Sequence, residues 1–564
     1  NGGQLFGSSP TDADNLLNGY GRAKLSWYTI DPIFYTNQRP AEISDDDIST
    51  NPTRRIYIDE VFPQTDVAQG QTQVQTTLDM VYYPSVKGPY NNNPDFAVDA
   101  PNDKWGGMMR SLSSTDFEQS NVEFVQFWVM DPYVDGIASG SGELVLNLGN
   151  ISEDILRDGK KQYENGLPGV DSNDFIAPTA WGEVPATQSL VYAFDASEPN
   201  RRLQDIGFDG LNDANESAVF TNNDGSDPAL DNYSYYLNRE GSILERYIDF
   251  NSPEGNSPVA VTNTNRGSTT LPDVEDIDRD LTMNTVNSYY EYRIAIKPNT
   301  TINDKYVTDI REGVASGTRI PNGDDVNYRW IQYKIPLSDF SDAIGGITDF
   351  RSISFMRMYM TGFNNPTVLR FATLDLVRGD WRTYTKTLQD ADIDNNPADD
   401  GTTLDVNTVN IEENSNRTPI PYVLPPGVIR EQLNNNNTII RQNEQSLSLL
   451  VENLEPRDSR GVFKNLNIDI RQYKNLRMFL HAEKIVDSDY ADSSTPLVGF
   501  LRMGTDFTQN FYQIELPLEF TPFSSVSESE IWPEANQMNI ALSDLNKVKS
   551  LWIADGDLSE IRFF

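Results

Sequence analysis

Cysteine is absent from this 564-residue chain, and histidine occurs once, at position 481. Without thiols there is no disulfide, no thiolate zinc site and no cysteine nucleophile. One imidazole excludes two-histidine metal sites and paired-histidine catalysis. Basic residues are scarce as well: 44 Lys and Arg stand against 84 Asp and Glu, a formal net charge of −40 with a pI near 4.3. Such a surface repels phosphate backbones and anionic headgroups, so nucleic acid is not an expected partner. No apolar run approaches the ~20 residues of a membrane helix. Phosphate-cradling glycine loops and dinucleotide fingerprints are missing too.

What is present suffices for folded cores: 38% hydrophobic residues, including 26 Tyr, 26 Phe and 8 Trp. The length allows roughly three to five domains. The chain opens at Asn1 without Met or a leader and ends on Ile561-Arg562-Phe563-Phe564, which reads as the inside of a strand. It is expected to be a piece of a longer protein.

Period-two patterns and short apolar runs, punctuated by Gly, Pro, Asn and Asp, predict an all-β protein. Expected strands are Ala23–Ile30, Arg55–Val61, Thr76–Tyr83, Val122–Met130, Glu143–Leu148, Tyr289–Ile296 and Trp330–Ile335. Ser352–Met360, Val368–Val377, Leu476–Ala482, Val498–Met503 and Tyr512–Leu518 follow. Trp105–Arg110 reads as a glycine-bearing turn or strand, and Asp131-Pro132 stops the strand before it, since proline has no amide to donate. Helices are expected to be few and short. The best is Ser152–Tyr163, with Ser152 as cap and Glu153 and Asp154 in the first turn.

Four stretches recur in the same order. Asn121–Phe127 matches Asn475–Leu480, each preceded by an aspartate (Asp116, Asp469). Gly142–Gly149 matches Val498–Gly504, Tyr289–Ile294 matches Phe511–Leu516, and Tyr333–Phe340 matches Ile540–Leu545. One β-domain used twice accounts for this. The expected fold is all-β: tandem jelly-roll-like β-sandwich domains with a long, mostly irregular acidic insertion and few short helices. Residues 1–150 hold the first part of domain 1, 151–288 the insertion and 289–384 the remainder. Residues 385–440 read as linker or loop, from the Asn- and Pro-rich segments Asp390–Gly401, Pro419–Gly427 and Asn434–Asn437. Residues 441–564 form domain 2, which runs out before its closing strands.

Within the insertion, Asp205–Glu216 counts as a twelve-residue calcium loop. Asp205, Asp209, Asp213 and Glu216 take positions 1, 5, 9 and 12, Gly210 the sharp turn at position 6, and Leu211 offers its carbonyl at position 7. Position 3 departs from the pattern, being Gly207. A water or a neighbouring carboxylate must substitute there, because Ca²⁺ takes six to eight oxygens. The plainer alternative is an acidic surface turn. A second cluster, Asp273, Glu275, Asp276, Asp278 and Asp280, reads as a solvated loop or as a further cation bridge. Either site would be structural.

His481 sits on an expected strand and is a weak basis for a catalytic triad. No carboxylate pair stands out for glycoside hydrolysis. Trp105, Trp181, Trp330, Trp381 and Trp532 are candidates for stacking on sugar rings, against the commoner role of tryptophan in a sandwich core.

The strings Arg22–Tyr35, Trp105–Tyr133, Gly142–Asp158, Asp205–Glu216 and Phe463–Glu483 resemble the SprA/Sov family, across essentially the whole chain. That family supplies the outer-membrane translocon of the type IX secretion system in Bacteroidetes and is linked to gliding motility. The resemblance implies a conducting barrel of very many strands with large folded insertions. This chain looks like such a non-barrel portion, placed as an extracellular cap on the cell-surface side of the bacterial outer membrane and without enzymatic activity. Implied partners are a PorV-like outer-membrane shuttle barrel, a periplasmic plug protein and secreted proteins with C-terminal signal domains. The alternative is a secreted or surface carbohydrate-binding jelly-roll module protein.

Overall fold

Val122–Met130 shows how alternation becomes a buried strand: Val125, Phe127 and Val129 point into one apolar cluster, while Phe124, Trp128 and Met130 are buried on the opposite face. Strands of this kind build the first of two units in a computed structural model. The structure describes residues 16–555, apart from 66–72, 137, 170–174, 188–192, 224, 268, 270, 272–274, 380, 385–387, 389–400, 436–437, 455, 457, 465, 467–471, 487–496 and 505–510. Unit 1 comprises Asn1–Val61 with Val74–Arg378, and unit 2 comprises Phe62–Gln73 with Gly379–Phe564.

In unit 1 the strands of the two main sheets are β1 (Ala23–Tyr28), β2 (Leu78–Lys87), β3 (Trp105–Ser111), β4 (Val122–Met130), β5 (Gly142–Asn150) and β6 (Ser288–Ile296). They continue with β7 (Val307–Ala315), β8 (Val326–Pro336), β9 (Asp342–Ile344), β10 (Phe355–Thr361) and β11 (Thr367–Arg378). A six-stranded sheet runs β1-β2-β11-β4-β8-β7 and a five-stranded sheet runs β9-β6-β5-β10-β3, with antiparallel pairing throughout. The quartet β2-β11-β4-β8 lies in one sheet and β6-β5-β10-β3 in the other, so most connections cross between sheets. That is the connectivity of a two-sheet antiparallel sandwich. Leu25, Tyr82, Phe127, Tyr333 and Phe371 from the first sheet meet Leu146, Tyr292, Ile294 and Met358 from the second in one core. Cross-strand pairs lock it: Phe127 lies opposite Tyr333, with ring centroids 5.3 Å apart.

Arg55–Val61 departs from its expected strand. Only Ile56–Tyr57 pairs, with Val74–Gln75, and Ile58–Val61 forms a helical turn. Glu60 turns the chain: its Oε1 accepts from Tyr57 N at 3.2 Å while both oxygens grip the buried Arg54, at 2.9 and 2.7 Å. The second buried pair on this face is Arg370 Nε to Asp79 Oδ1 at 3.0 Å, and Arg370 also donates to the carbonyls of Asn51 and Arg54 at 2.8 Å.

The insertion leaves after Asn150 and returns at Ser288, two residues that face each other across β5 and β6. Among the described residues it adds nothing to the main core. It builds satellite clusters instead, one setting Tyr235, Tyr236, Ile243 and Tyr247 against Tyr28, Phe34 and Val81. It also covers the free edge of β1. The Asn251 amide accepts from Trp27 N at 2.7 Å and donates to Trp27 O at 2.9 Å, as a paired strand would. Nearby Lys24 pairs with Asp249 at 2.6 Å.

Ser152–Tyr163, expected as a helix, is irregular. Its amides are satisfied from outside: Ile155 N donates to Glu275 Oε1 at 2.5 Å, and Glu153 N to Asn284 O at 2.7 Å. Glu153 cannot serve a first helical turn because its oxygens accept from Ile277 N at 2.5 Å and Asn284 N at 3.0 Å. Tertiary partners override local propensity here.

Unit 2 contains β12 (Thr403–Asn410), β13 (Gln432–Asn435), β14 (Thr438–Arg441), β15 (Gln445–Glu452), β16 (Asn475–Phe479), β17 (Val498–Gly504), β18 (Phe511–Pro517) and β19 (Gln537–Ala541). Among the described residues these form two-stranded ribbons: β12·β15, β13·β14, β16·β19 and β17·β18. Two ribbons reproduce the repeat. β16 pairs with β19 as β4 pairs with β8, and β17 pairs with β18 as β5 pairs with β6. Two features differ from expectation. The stretch read as linker holds β12, the β13–β14 hairpin, and Ile420 and Tyr422 packed with Ile531 and Trp532. The final match ends in a 14-residue helix, α1 (Leu542–Asp555). Lys547 pairs with Asp544 at 2.7 Å along it, and no Gly or Pro interrupts it. Asp469 and Asp390–Asp400 lie outside the described residues.

Candidate metal centre

Asp205–Glu216 turns twice, at Gly207 (φ +70°) and Gly210 (φ +73°). A Cβ at Gly210 would lie 2.0 Å from Glu183 O, so only glycine fits this left-handed position. At Gly207 the space a side chain would occupy belongs to Asp231, whose Oδ2 would lie 2.2 Å from a Cβ. A carboxylate from farther along the chain thus stands where the linear motif lacks its third acid. The loop runs into the short helical turn Asp213–Glu216, begun by Asn212 O accepting from Glu216 N at 3.0 Å.

Six carboxylates gather here. Asp213, Glu216 and Glu254 can place one oxygen each within 4.8 Å of one another, and Glu216, Asp227 and Asp231 form a second such triad. Asp209 is 1% exposed, and Glu216 and Asp231 are fully buried. Backbone donors use part of this set: Ala229 N reaches Glu216 Oε2 at 2.8 Å, Asp231 N reaches Asp227 Oδ1 at 3.0 Å, and Leu211 N reaches Asp209 Oδ1 at 2.9 Å. Tyr90, from the loop after β2, donates to Asp231 Oδ2 at 2.5 Å and accepts from Phe208 N at 2.8 Å, which ties the centre to the sandwich.

Asn232 donates to Asp213 Oδ1 at 2.7 Å and to Asp227 Oδ2 at 3.3 Å, and four further oxygens have no such relief. Asp209 Oδ2, Glu216 Oε1, Asp231 Oδ1 and Glu254 Oε2 are buried without a hydrogen-bond donor. Burial, with neighbouring acids adding to it, pushes Asp209 and Asp231 far above the carboxylate range and Glu254 up to about 10. Hard, oxygen-only ligands of this kind suit a divalent cation such as Ca²⁺.

Of the five residues read from the loop, Asp209, Asp213 and Glu216 come together here. Asp205 is turned away, its Oδ2 accepting from Ser257 N at 3.1 Å. Leu211 is seen contributing its amide. Asp227, Asp231 and Glu254 escaped sequence reasoning. They lie well downstream of the loop, and no fixed spacing joins them to it.

The second acidic cluster is built differently. Glu275 and Asp276 are buried, whereas Asp278 and Asp280 are exposed, so the solvated-loop reading fails for the first two acids only. Asp273 lies outside the described residues. Glu153 approaches Asp276 and Asp278 as a third acid. Most of these oxygens are already engaged with backbone amides: Glu275 Oε1 accepts from Ile155 and Leu156, and Asp276 from Asp280 and Leu281. Burial, partly offset by the amides of Asn284 and Ile277, raises Glu153 to about 7. This cluster clasps the two ends of the insertion.

His481 is held in the packing of unit 2. Its Nδ1 lies 2.8 Å from Ile531 O and 3.2 Å from Thr521 Oγ1, and its Nε2 lies 3.2 Å from Glu483 Oε2. Arg417 also pairs with Glu483. Although burial opposes it, these bonds hold Glu483 at about 2. Trp105, Trp181, Trp330 and Trp532 are buried, between 0% and 6% exposed, so their faces are packed against protein. Trp381 is half-buried.

A family model described as motility related/secretion protein, SprA_N, matches residues 208–552. The chain belongs to this family. The SprA_N match begins inside the loop, spans the rest of the insertion and the closing strands of the sandwich, and continues through unit 2. It includes all six acids of the centre and leaves out Asp205. No curated protein matches the chain. Among the described residues no helix is long and apolar enough to cross a membrane.

Proposed function

We propose that this chain is a folded, non-enzymatic, non-barrel portion of an outer-membrane translocon of the type IX secretion system, placed as a cap on the cell-surface side. The observation that carries the reading is the secretion and motility family match over residues 208–552. The shape of unit 1 supports it. Its strands turn their apolar faces onto a shared core, and the insertion covers an outer edge with buried polar clasps, which suits a water-facing body better than a lipid-facing wall. The role is steric: rigid sandwiches cover a wide pore mouth, limit leakage and divert substrate sideways. The expected partners are a PorV-like shuttle barrel, a periplasmic plug protein and secreted proteins with C-terminal signal domains. A formal net charge of −40 disfavours nonspecific adhesion of acidic cargo.

The carbohydrate-binding alternative loses support because four of its five candidate tryptophans are buried. Removing residues 16–378 from the full-length protein, with its envelope level checked by immunoblot, tests the reading. Retention of secreted cargo in the cell and increased permeability to bulky solutes are expected. Normal secretion and permeability, together with glycan binding by the intact chain, would refute it.

A further inference from the structure

We propose that the acidic centre of the insertion binds a pair of Ca²⁺ ions bridged by Glu216, a site assembled from three separated chain segments. The two triads, Asp213–Glu216–Glu254 and Glu216–Asp227–Asp231, share that one carboxylate. A single residue common to two oxygen clusters is the arrangement that lets one carboxylate serve two cations.

An acidic cluster alone would not carry this. The second observation is Asp209, which belongs to neither triad. It is 1% exposed, its Oδ2 has no donor, and the charge of Glu216 acts on it. Unpartnered oxygens on Glu216, Asp231 and Glu254 complete the pattern. A buried carboxylate without a donor or counter-ion costs several kcal/mol, and cations of matching hardness remove that cost. Six acids in one place carry up to six negative charges. Two divalent ions neutralise most of that charge, and one leaves the greater part uncompensated. The clasp formed by Glu153, Glu275 and Asp276 provides the internal contrast, since most of its oxygens are occupied by backbone amides.

Gly207 belongs to the same design. A residue with a side chain at this position would collide with Asp231, which the second triad requires. The missing acid of the linear motif and the presence of Asp231 are therefore one feature.

The test is calorimetric titration of the whole chelator-treated chain with CaCl₂, with Tb³⁺ luminescence as a second readout and thermal melting as a third. The expected stoichiometry is two ions per chain, with a rise in melting temperature on binding. Glu216→Gln should abolish both ions, weakening binding at least 100-fold. It should also raise the melting temperature of the metal-free protein, because it removes a fully buried charge set among other acids, and a variant that merely misfolds would lower it. Asp213→Asn should weaken one ion and spare the other. Asp276→Asn, in the clasp, should leave the stoichiometry at two. No binding at millimolar Ca²⁺, one ion per chain, or full binding by Glu216→Gln would overturn the proposal.

Discussion

Metal-free protein should be more stable in mild acid than at neutral pH, the opposite of the usual behaviour of a carboxylate-rich surface. Glu254 is 8% exposed, and burial beside Glu216 raises it from an ordinary 4.5 to about 10. Between those two values the folded chain holds a proton that the unfolded chain has released. Stability therefore falls as pH rises through that window. At pH 7 the reference value has been exceeded by about 2.5 units, and at about 1.4 kcal/mol per unit the loss is about 3 kcal/mol. For a domain of this size that corresponds to a drop of roughly 4 °C in melting temperature. Calorimetric melting in a chelator at pH 5, 6, 7 and 8 measures it. Glu254→Gln, which keeps the shape but cannot ionise, should flatten the slope. Saturating Ca²⁺ should reverse it, because metal ligands must be deprotonated. A metal-free melting temperature that climbs from pH 5 to 8, or a Glu254→Gln slope equal to that of the wild type, would refute the reasoning.

Two further outcomes follow from the buried pairs. Asp79→Asn should cost about 3–5 kcal/mol in denaturant unfolding of unit 1, because it leaves the Arg370 guanidinium buried beside a neutral group. In unit 2 the pH dependence has the opposite sign. Glu483 is held at about 2 by His481 and Arg417, so its contribution is complete above 4.5 and is lost as pH falls through 2. Glu483→Gln should therefore destabilise by up to about 3 kcal/mol at pH 7, with the difference shrinking to about 1 kcal/mol at pH 3. A constant difference across that range would argue against the pairing.

Strand content was legible because the sandwich strands carry the period-two signal themselves: Val122–Met130 is observed with the bounds expected for it, and most others differ by one to four residues at an end. The repeat was legible for the same reason, and its pairings β16·β19 and β17·β18 follow the first copy. Val307–Ala315 was missed because Asp309, Arg311 and Glu312 interrupt its apolar pattern, although Asp309 and Arg311 are buried as a pair. The helix expected over Ser152–Tyr163 failed because Glu153, an acid assigned to its first turn, is spent on amides more than a hundred residues away. The metal loop showed the same limit. Its glycines and three of its acids are local and readable, whereas Asp227, Asp231 and Glu254 arrive through tertiary folding.

The facing pair Asn150 and Ser288 has a practical corollary. Because entry and exit sit side by side, a short reverse turn could join them, just as Gly504 and Phe511 face each other at the ends of β17 and β18. Topology thus makes the acidic segment dispensable. The clasp of Asn251 on Trp27 does not, since a stripped sandwich would present β1 as a bare, sticky rim inviting neighbouring chains to add on. The segment thus screens an edge that would otherwise be open to strand pairing.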